Sequence, residues 1–202
     1  MLYLSTISRI PISINVVDGG INAVDLFMAI IVAAVICMGR KDGIVAEIIK
    51  LIGIFFTVFI TLHYYVRFAD FLRVQFFGKD AETELFAFTL IAVAVSVSFI
   101  FITKGWSLIL EIKSIAVIDR WGRLIFSLIR SYFVGSMVFL ALILSQHATV
   151  TPLAQKSVCA ILFHNGAVNL YKASYSFLIE KYFPGEKINQ DVIELIEGKP
   201  KK

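Results

Sequence analysis

The sequence predicts an all-α, polytopic membrane protein with four transmembrane helices and additional amphipathic interfacial helices. Of its 202 residues, 58% are hydrophobic and 17% are charged, against about 45–50% and about 25% in soluble globular domains. Four apolar windows, at 26–39, 51–66, 85–103 and 124–145, contain a single charged residue, Arg130. This segregation, with a mean hydropathy of +0.84, excludes intrinsic disorder and a water-soluble enzyme.

The predicted spans follow from the thickness of the bilayer. A hydrocarbon core of about 30 Å needs about 20 helical residues, so we expect spans at 22–39, 44–66, 85–103 and 124–145. They must be helices because lipid offers no partners to unpaired backbone groups. The chain then divides into an N-terminal segment (1–21), a membrane domain (22–145) and an amphipathic C-terminal segment with a charged tail (146–202). No cleavage signal follows the first span, so we expect a retained anchor.

The connections between spans have different characters. Gly39 and Gly43 bracket a charged turn, which predicts a tight antiparallel hairpin between the first two spans. The polar stretch 67–84 is typical of an aqueous loop. Residues 104–123 repeat apolar side chains at helical spacing, which favours an amphipathic helix on the membrane surface, on the same side as the turn. The basic residues divide almost evenly between the two sides, so the orientation stays open.

Charge and cysteine content limit the partners and cofactors. The net charge is +4 and the pI is about 9.1, but the basic residues flank apolar spans, so we expect lipid contact and no nucleic-acid binding. Cys37 and Cys159 have no spacing typical of a disulfide framework or a zinc site, and we expect two buried thiols. The three histidines lack ligand spacing. We therefore expect no metal, no cofactor and no catalytic residues.

Polar residues at the start of the first two spans are candidate functional groups. Asn22 and Asp25 have the spacing of a helix N-cap and its third residue, and the alternative role for Asp25 is to line a cavity. Glu47 and Lys50 lie one turn apart at the boundary of the second span. They form either a snorkelling ion pair or a functional intramembrane pair.

Arg130 is the most unusual residue of the four windows. A central arginine costs about 2.5–3.5 kcal/mol on insertion scales, which implies a compensating contact or a use. Glu47 is the expected partner, because Asp25 has a capping role and Asp42 lies in the turn. We therefore expect an ion pair between the second and fourth spans.

Small residues predict where the fourth span packs. Ser127, Ser131 and Gly135 recur every four residues on one face, which allows another backbone to approach closely. The third span offers a counterpart in Ala92 and Ser96, or in Ala94 and Ser98. The run 63–65, His-Tyr-Tyr, is expected in the interfacial aromatic belt, with a proton-relay histidine as the alternative.

Three passages resemble the colicin V production protein (CvpA) family of bacterial inner-membrane proteins. The run 22–25 with the turn and the sequence from Gly43 to Glu47 is similar to the family's opening Asp and its basic Gly-x-x-x-Glu turn. The run 63–65 resembles the end of that span in some members. Asp119 and Arg120, followed by Ser127 and the pair 130–131, resemble the family's Asp-Arg run into its last span, although Ser127 and Ser131 stand where glycine is common. The resemblance covers about 22–145.

The resemblance implies a four-span protein of the bacterial inner membrane that is involved in toxin (colicin V) production or export and in envelope function. It implies no catalytic residues. Expected partners are the lipid bilayer and either further copies of the chain or other membrane proteins of an export or envelope assembly. The alternative is a small-solute or ion transporter or channel acting as an oligomer, because intramembrane ionisable residues often mark pathways.

Overall fold

A computed structural model describes residues 22–39, 44–77, 82–109, 116–145, 147, 149–179, 188, 189 and 193. This part of the chain is all-helical and contains no strand, which confirms the predicted class. The helices are α1 (Ala23–Gly39), α2 (Ile44–Leu72), α3 (Glu82–Ile109), α4 (Ala116–Leu144), α5 (Val150–Gln155), α6 (Val158–Phe163) and α7 (Gly166–Ser174). Single π-helical turns, Arg73–Phe77 and Tyr175–Ile179, continue α2 and α7.

Three of the described helices are long and apolar enough to cross a membrane: Ile44–Gln75, Thr83–Gly105 and Arg120–Leu144. α1 is apolar but has 17 residues, or about 25 Å at the helical rise of about 1.5 Å. The apolar side chains that α3 leaves exposed, such as Val93 and Phe101, are suited to lipid. The chain is a membrane protein.

The loop expected over 67–84 is wrong for most of its length. α2 continues through 67–72 and its π turn reaches Phe77, while α3 already begins at Glu82. Ala69 and Leu72 are buried against Ala87 of α3, and that packing extends both helices. Arg73 is paired with Asp70 at 2.9 Å and with Glu84 at 2.8 Å, so three of the charged residues in this stretch form ion pairs across the helix ends.

The separate amphipathic helix expected over 104–123 is also wrong within the described residues. Residues 104–109 are the last turns of α3, and 116–123 are the first turns of α4. Residues 110–115 lie outside the described part of the chain. Helical structure is confirmed at 104–109 and 116–123, where the residues belong to the two neighbouring helices.

Among the described residues, α1 does not pack along α2, so the tight hairpin expected between the first two spans is corrected: α1 lies on α4 instead. α2 lies at the centre, against α3 on one side and α4 on the other, and α1 packs on α4. One core cluster joins α2, α4 and α7 around Leu62, Leu140 and Tyr171. A second joins α1 to α4, α5 and α6 around Met28 and Phe139. The packing face expected on the third span is therefore corrected: the small-residue face of α4 meets α1 and α6, while α3 packs mainly on α2.

After α4 the chain folds back into the bundle. α5 and α6 lie along α4, and Phe163 at the end of α6 packs on Gly135. A Cβ added to Gly135 would lie 2.7 Å from the phenylalanine ring. Ser136 lies eight residues before the end of α4 at Leu144, or about 12 Å along its axis. α7 then packs along α2 and α4. We call residues 150–179 the re-entrant hairpin, because the chain turns back at the level of Ser136.

Candidate functional site

A buried ion-paired cluster joins α2 and α4 near the end of the bundle where α2 starts. The side chain of Glu47 is fully buried, and its Oε1 accepts a hydrogen bond from Lys50 Nζ at 3.0 Å. Arg130 Nη2 lies 3.2 Å from Glu47 Oε2 and 3.4 Å from Oε1. The contact expected between the second and fourth spans is therefore present.

Arg130 also ties α4 to α1. Its Nη2 donates to the carbonyl oxygen of Val35 at 3.1 Å, near the C-terminal end of α1, where the helix dipole favours a cation. The guanidinium Nε is buried and has no hydrogen-bond partner among the described residues. One side chain thus contacts α1 and α2 from a third helix, which makes it the central residue of the cluster.

Close backbone packing surrounds this cluster. A Cβ added to Gly39 would lie 2.7 Å from the Cβ of Ser127 and 3.2 Å from the carboxylate carbon of Glu47. Since real Cβ atoms do not approach to 2.7 Å, only glycine allows α1 to sit this close to α4. The small residues predicted as a packing face therefore bring the backbone of α1 against the ion pair.

The electrostatics of the cluster make it sensitive to substitution. Arg130 and Lys50 expose 13% and 22% of their side chains, while Glu47 exposes none. Removing one partner of a buried pair typically costs about 3–5 kcal/mol, because a charge is left without compensation. Lys50 remains beside Glu47 when Arg130 is lost, so a variant at 130 retains one cation next to the carboxylate.

A cavity of about 500 Å³ opens beside the cluster. Lys50 and Arg130 line it together with Lys104 near the end of α3. Thr57, Ser96 and Thr103 add hydroxyl groups, and the remaining wall is apolar. The described bundle thus contains a space with cations at one end and apolar side chains around it, a combination suited to an amphiphilic or anionic ligand.

Asp25 lies away from this cluster and has a structural role. Asn22 Oδ1 accepts hydrogen bonds from the backbone N–H of Val24 and Asp25, and Asp25 Oδ2 accepts from the N–H of Asn22 at 3.1 Å. This is the predicted cap. Asp25 Oδ1 also accepts the N–H of Cys159 at 2.9 Å, so the carboxylate joins the start of α1 to α6, a contact that local spacing could not indicate.

Residues 24–168 match the family described as Colicin V production protein. The chain belongs to the colicin V production protein family. The match continues past residue 145, where the recognisable motifs end, and includes α5, α6 and the start of α7. The re-entrant hairpin is thus partly inside the family region. No curated protein and no solved structure matches the chain.

The motif residues shared with the colicin V production protein family occupy different environments. Ser127 and Ser131 are buried, whereas Arg120 is exposed at the first turns of α4. Gly43 lies outside the described residues, and of Asp119 the structure describes the backbone within α4 but not the side chain. The family motif therefore contributes one face to the core and one residue, Arg120, to the surface.

Of the three residues expected in the interfacial belt, His63 and Tyr65 are buried in the bundle, so the expected exposure is wrong for them, whereas Tyr64 is exposed. The imidazole is 4% exposed, and its Nδ1 lies 3.0 Å from Tyr171 Oη. Tyr171 Oη also accepts the N–H of Asn189 at 3.0 Å, and the Asn189 side chain donates to the carbonyl of Leu62. α2 extends beyond residue 66, which places His63 inside the bundle where α7 covers it.

Ser136 is the functional-looking residue that sequence reasoning missed. Its hydroxyl donates to the carbonyl of Phe163 at 2.5 Å and accepts the N–H of Ala167 at 2.7 Å. It thus provides a hydrogen-bond partner for a carbonyl at the end of α6 and for an N–H at the start of α7, at the turn of the re-entrant hairpin. Irregular backbone at membrane depth needs such protein partners. A serine in an apolar span is common, so nothing local distinguished this one.

The two cysteines differ in their exposure. Cys37 is exposed and Cys159 is half-buried, so the expectation of two buried thiols is wrong, because Cys37 faces outward from the bundle. Burial raises the pKa of the Cys159 thiol to about 11, and the neighbouring Asp25 carboxylate acts in the same direction. Among the described residues, no group of three His, Cys, Asp or Glu could hold a metal ion.

Proposed function

We propose that this chain is a four-span protein of the bacterial inner membrane that acts in the production or export of a colicin V-type toxin and in envelope function. The match of residues 24–168 to the colicin V production protein family carries the proposal. In this proposal α1 also crosses the membrane, which brings the number of spans to four. Its 17 residues fall short of the usual length, and local bilayer thinning or snorkelling of flanking residues accommodates such a mismatch at modest cost.

In this proposal the protein is a component of an assembly and not an enzyme. Its contribution is a rigid membrane bundle that other membrane proteins or further copies of the chain contact. The buried Glu47–Arg130 pair supports this view, since it holds α1, α2 and α4 in one arrangement. The assembly, or a partner within it, supplies the energy for any export.

A complementation experiment tests the role in toxin production. The chain is expressed in a colicin V-producing bacterium from which the native family member has been deleted, and toxin activity is measured separately in cells and in medium. Restored activity in the medium supports the proposal, and accumulation of toxin inside uncomplemented cells assigns the step to export. Equal extracellular toxin with and without the chain, at a confirmed membrane level, would refute it.

The second candidate is an oligomeric transporter or channel for a small solute or ion. The re-entrant hairpin favours it, because broken helices at membrane depth often line the sites of transporters. Ionisable side chains beside a cavity point the same way. Purification in detergent separates the candidates: a homo-oligomer that supports flux in vesicles favours the channel, and a stable foreign membrane partner favours the assembly.

A further inference from the structure

The cavity beside the ion-paired cluster has a defined position in the bundle. Lys50 is in the second turn of α2 and Lys104 is near the end of α3, so both lie at the end of the bundle where α1 stops and α4 starts. Arg130 lies deeper, on α4. The polar end of the cavity therefore lies close to one membrane boundary, and its apolar part extends toward the membrane interior.

The polar end of the cavity is lined by basic side chains. The described residues that line the cavity include three cations, Lys50, Lys104 and Arg130, and no acid. Glu47 does not line the cavity, but it forms ion pairs with Lys50 and Arg130 and offsets part of their charge. A cationic end of this kind is complementary to a phosphate group, which accepts several charge-assisted hydrogen bonds.

The other walls of the cavity are apolar. Gly53, Ile54, Phe99 and Val134 line the deeper part. At the rim, Met38 of α1 and Ile100 of α3 expose 55% and 52% of their surface. Both helices carry exposed apolar side chains here, so this rim is suited to contact with lipid. A ligand that enters here needs an apolar portion.

We propose that this cavity binds an anionic phospholipid, with its phosphate between Lys50, Lys104 and Arg130 and one acyl chain against Phe99 and Val134. A free phosphate matches the charges but leaves the apolar walls without contact, and a zwitterionic lipid brings its own cation to the positive end. The proposal depends on the geometry of the cavity and on the membrane location. It does not depend on a role in toxin export.

The test is native mass spectrometry of the full chain in detergent, titrated with phosphatidylglycerol or phosphatidylcholine. We expect the wild type to retain phosphatidylglycerol with a clear preference. The double variant Lys50→Gln/Lys104→Gln should reduce that retention roughly tenfold or more, since each basic residue near a headgroup contributes a factor of about five. The matched control is Lys156→Gln/Lys172→Gln, which removes two lysines away from the cavity and should leave the preference unchanged.

A second pair of variants tests the apolar part without changing charge. Ser96→Phe fills the cavity and should displace the lipid, whereas Ala94→Phe, on the exposed side of α3, should not. Monodispersity in detergent is checked for each variant. Equal retention of both lipids by the wild type, or an unchanged preference in both cavity variants, would overturn the proposal. Inorganic phosphate that displaces phosphatidylglycerol at equal concentration would also overturn it, by assigning the site to a free anion.

Discussion

Arg130 Nη2 lies 3.1 Å from the carbonyl oxygen of Val35 and 3.2 Å from Glu47 Oε2. The same guanidinium nitrogen therefore meets a helix end on one side and a buried carboxylate on the other. This relationship makes the Arg130–Glu47 pair a junction of three helices.

Arg130→Leu should reach the membrane at the normal level but lose activity in the complementation assay and lose stability in detergent. The charge of Glu47 is then offset by Lys50 alone, and the cost is about 3–5 kcal/mol if the pair behaves like other buried pairs. The exchange Glu47→Arg/Arg130→Glu should restore part of the activity, because a pair of opposite charges is present again. It should not restore all of it, because the guanidinium of an arginine at 47 extends from α2, whereas that of Arg130 extends from α4. Arg120→Leu is the control, since Arg120 is exposed on the same helix. Full activity in Arg130→Leu would leave the residue as a snorkelling anchor.

Gly39→Ala and Gly135→Ala should each lower the melting temperature of the purified protein. Overpacking typically reduces the free energy of unfolding by about 1–3 kcal/mol. The added methyl groups meet Ser127 Cβ and the Phe163 ring, both at 2.7 Å. Gly105→Ala is the matched control, because nothing lies within 4 Å of its added Cβ and alanine is the better helix former. The close-packing account fails if all three variants melt at the same temperature.

Ser136→Ala should loosen the re-entrant hairpin. The substitution leaves the carbonyl of Phe163 and the N–H of Ala167 without the hydroxyl that serves both, at about 1–3 kcal/mol for each unsatisfied buried group. Faster protease cleavage near 164–166 in detergent is the measurement. Ser98→Ala removes a hydroxyl that bonds within its own helix on an exposed face, and it should have no effect. Unchanged cleavage in Ser136→Ala would mean that helix packing alone holds the turn.

Single cysteines at Lys41, Lys79 and Lys113 should report the crossing pattern when Cys37 and Cys159 have been replaced. Because α1 to α4 alternate in direction, positions 41 and 113 should react with a membrane-impermeant thiol reagent from one side, and position 79 from the other. The measurement is labelling of intact cells against opened cells. Labelling of 41 and 79 from the same side would remove the four-span arrangement.

Cys159 should react slowly with iodoacetamide at pH 8, and its rate should rise through a midpoint near pH 11, measured in a Cys37→Ala background. The thiolate is the reactive form, and burial together with Asp25 raises the pKa of this thiol to about 11. Asp25→Asn removes the negative charge and should shift the midpoint to lower pH. Asn22→Ala weakens the helix cap but keeps the carboxylate, so its midpoint should stay in place. A wild-type midpoint near the ordinary value for cysteine would contradict the burial account.

Arg130 and Glu47 illustrate how far local sequence can lead toward the site. Arg130 is conspicuous because a charge inside an apolar window is costly, and Glu47 follows by elimination among the few acids nearby. The contact with Val35 and the closeness of Gly39 to Ser127 were not predictable in this way. A backbone carbonyl exists at every residue, and small residues at a spacing of four are common in membrane helices.

The sequence by itself determined the membrane class, the helical content, the capped start of α1 and the pairing of Arg130 with Glu47, because each depends on composition, on spacing within one helix or on the rarity of charge in lipid. Only the tertiary structure decided that α4 packs on α1 and α6, that His63 is covered by α7 and that the chain folds back after Leu144. The physical reason is that a membrane helix is apolar both where it meets lipid and where it meets protein. Hydrophobic periodicity therefore does not distinguish the two faces, and only the packing of neighbouring helices does.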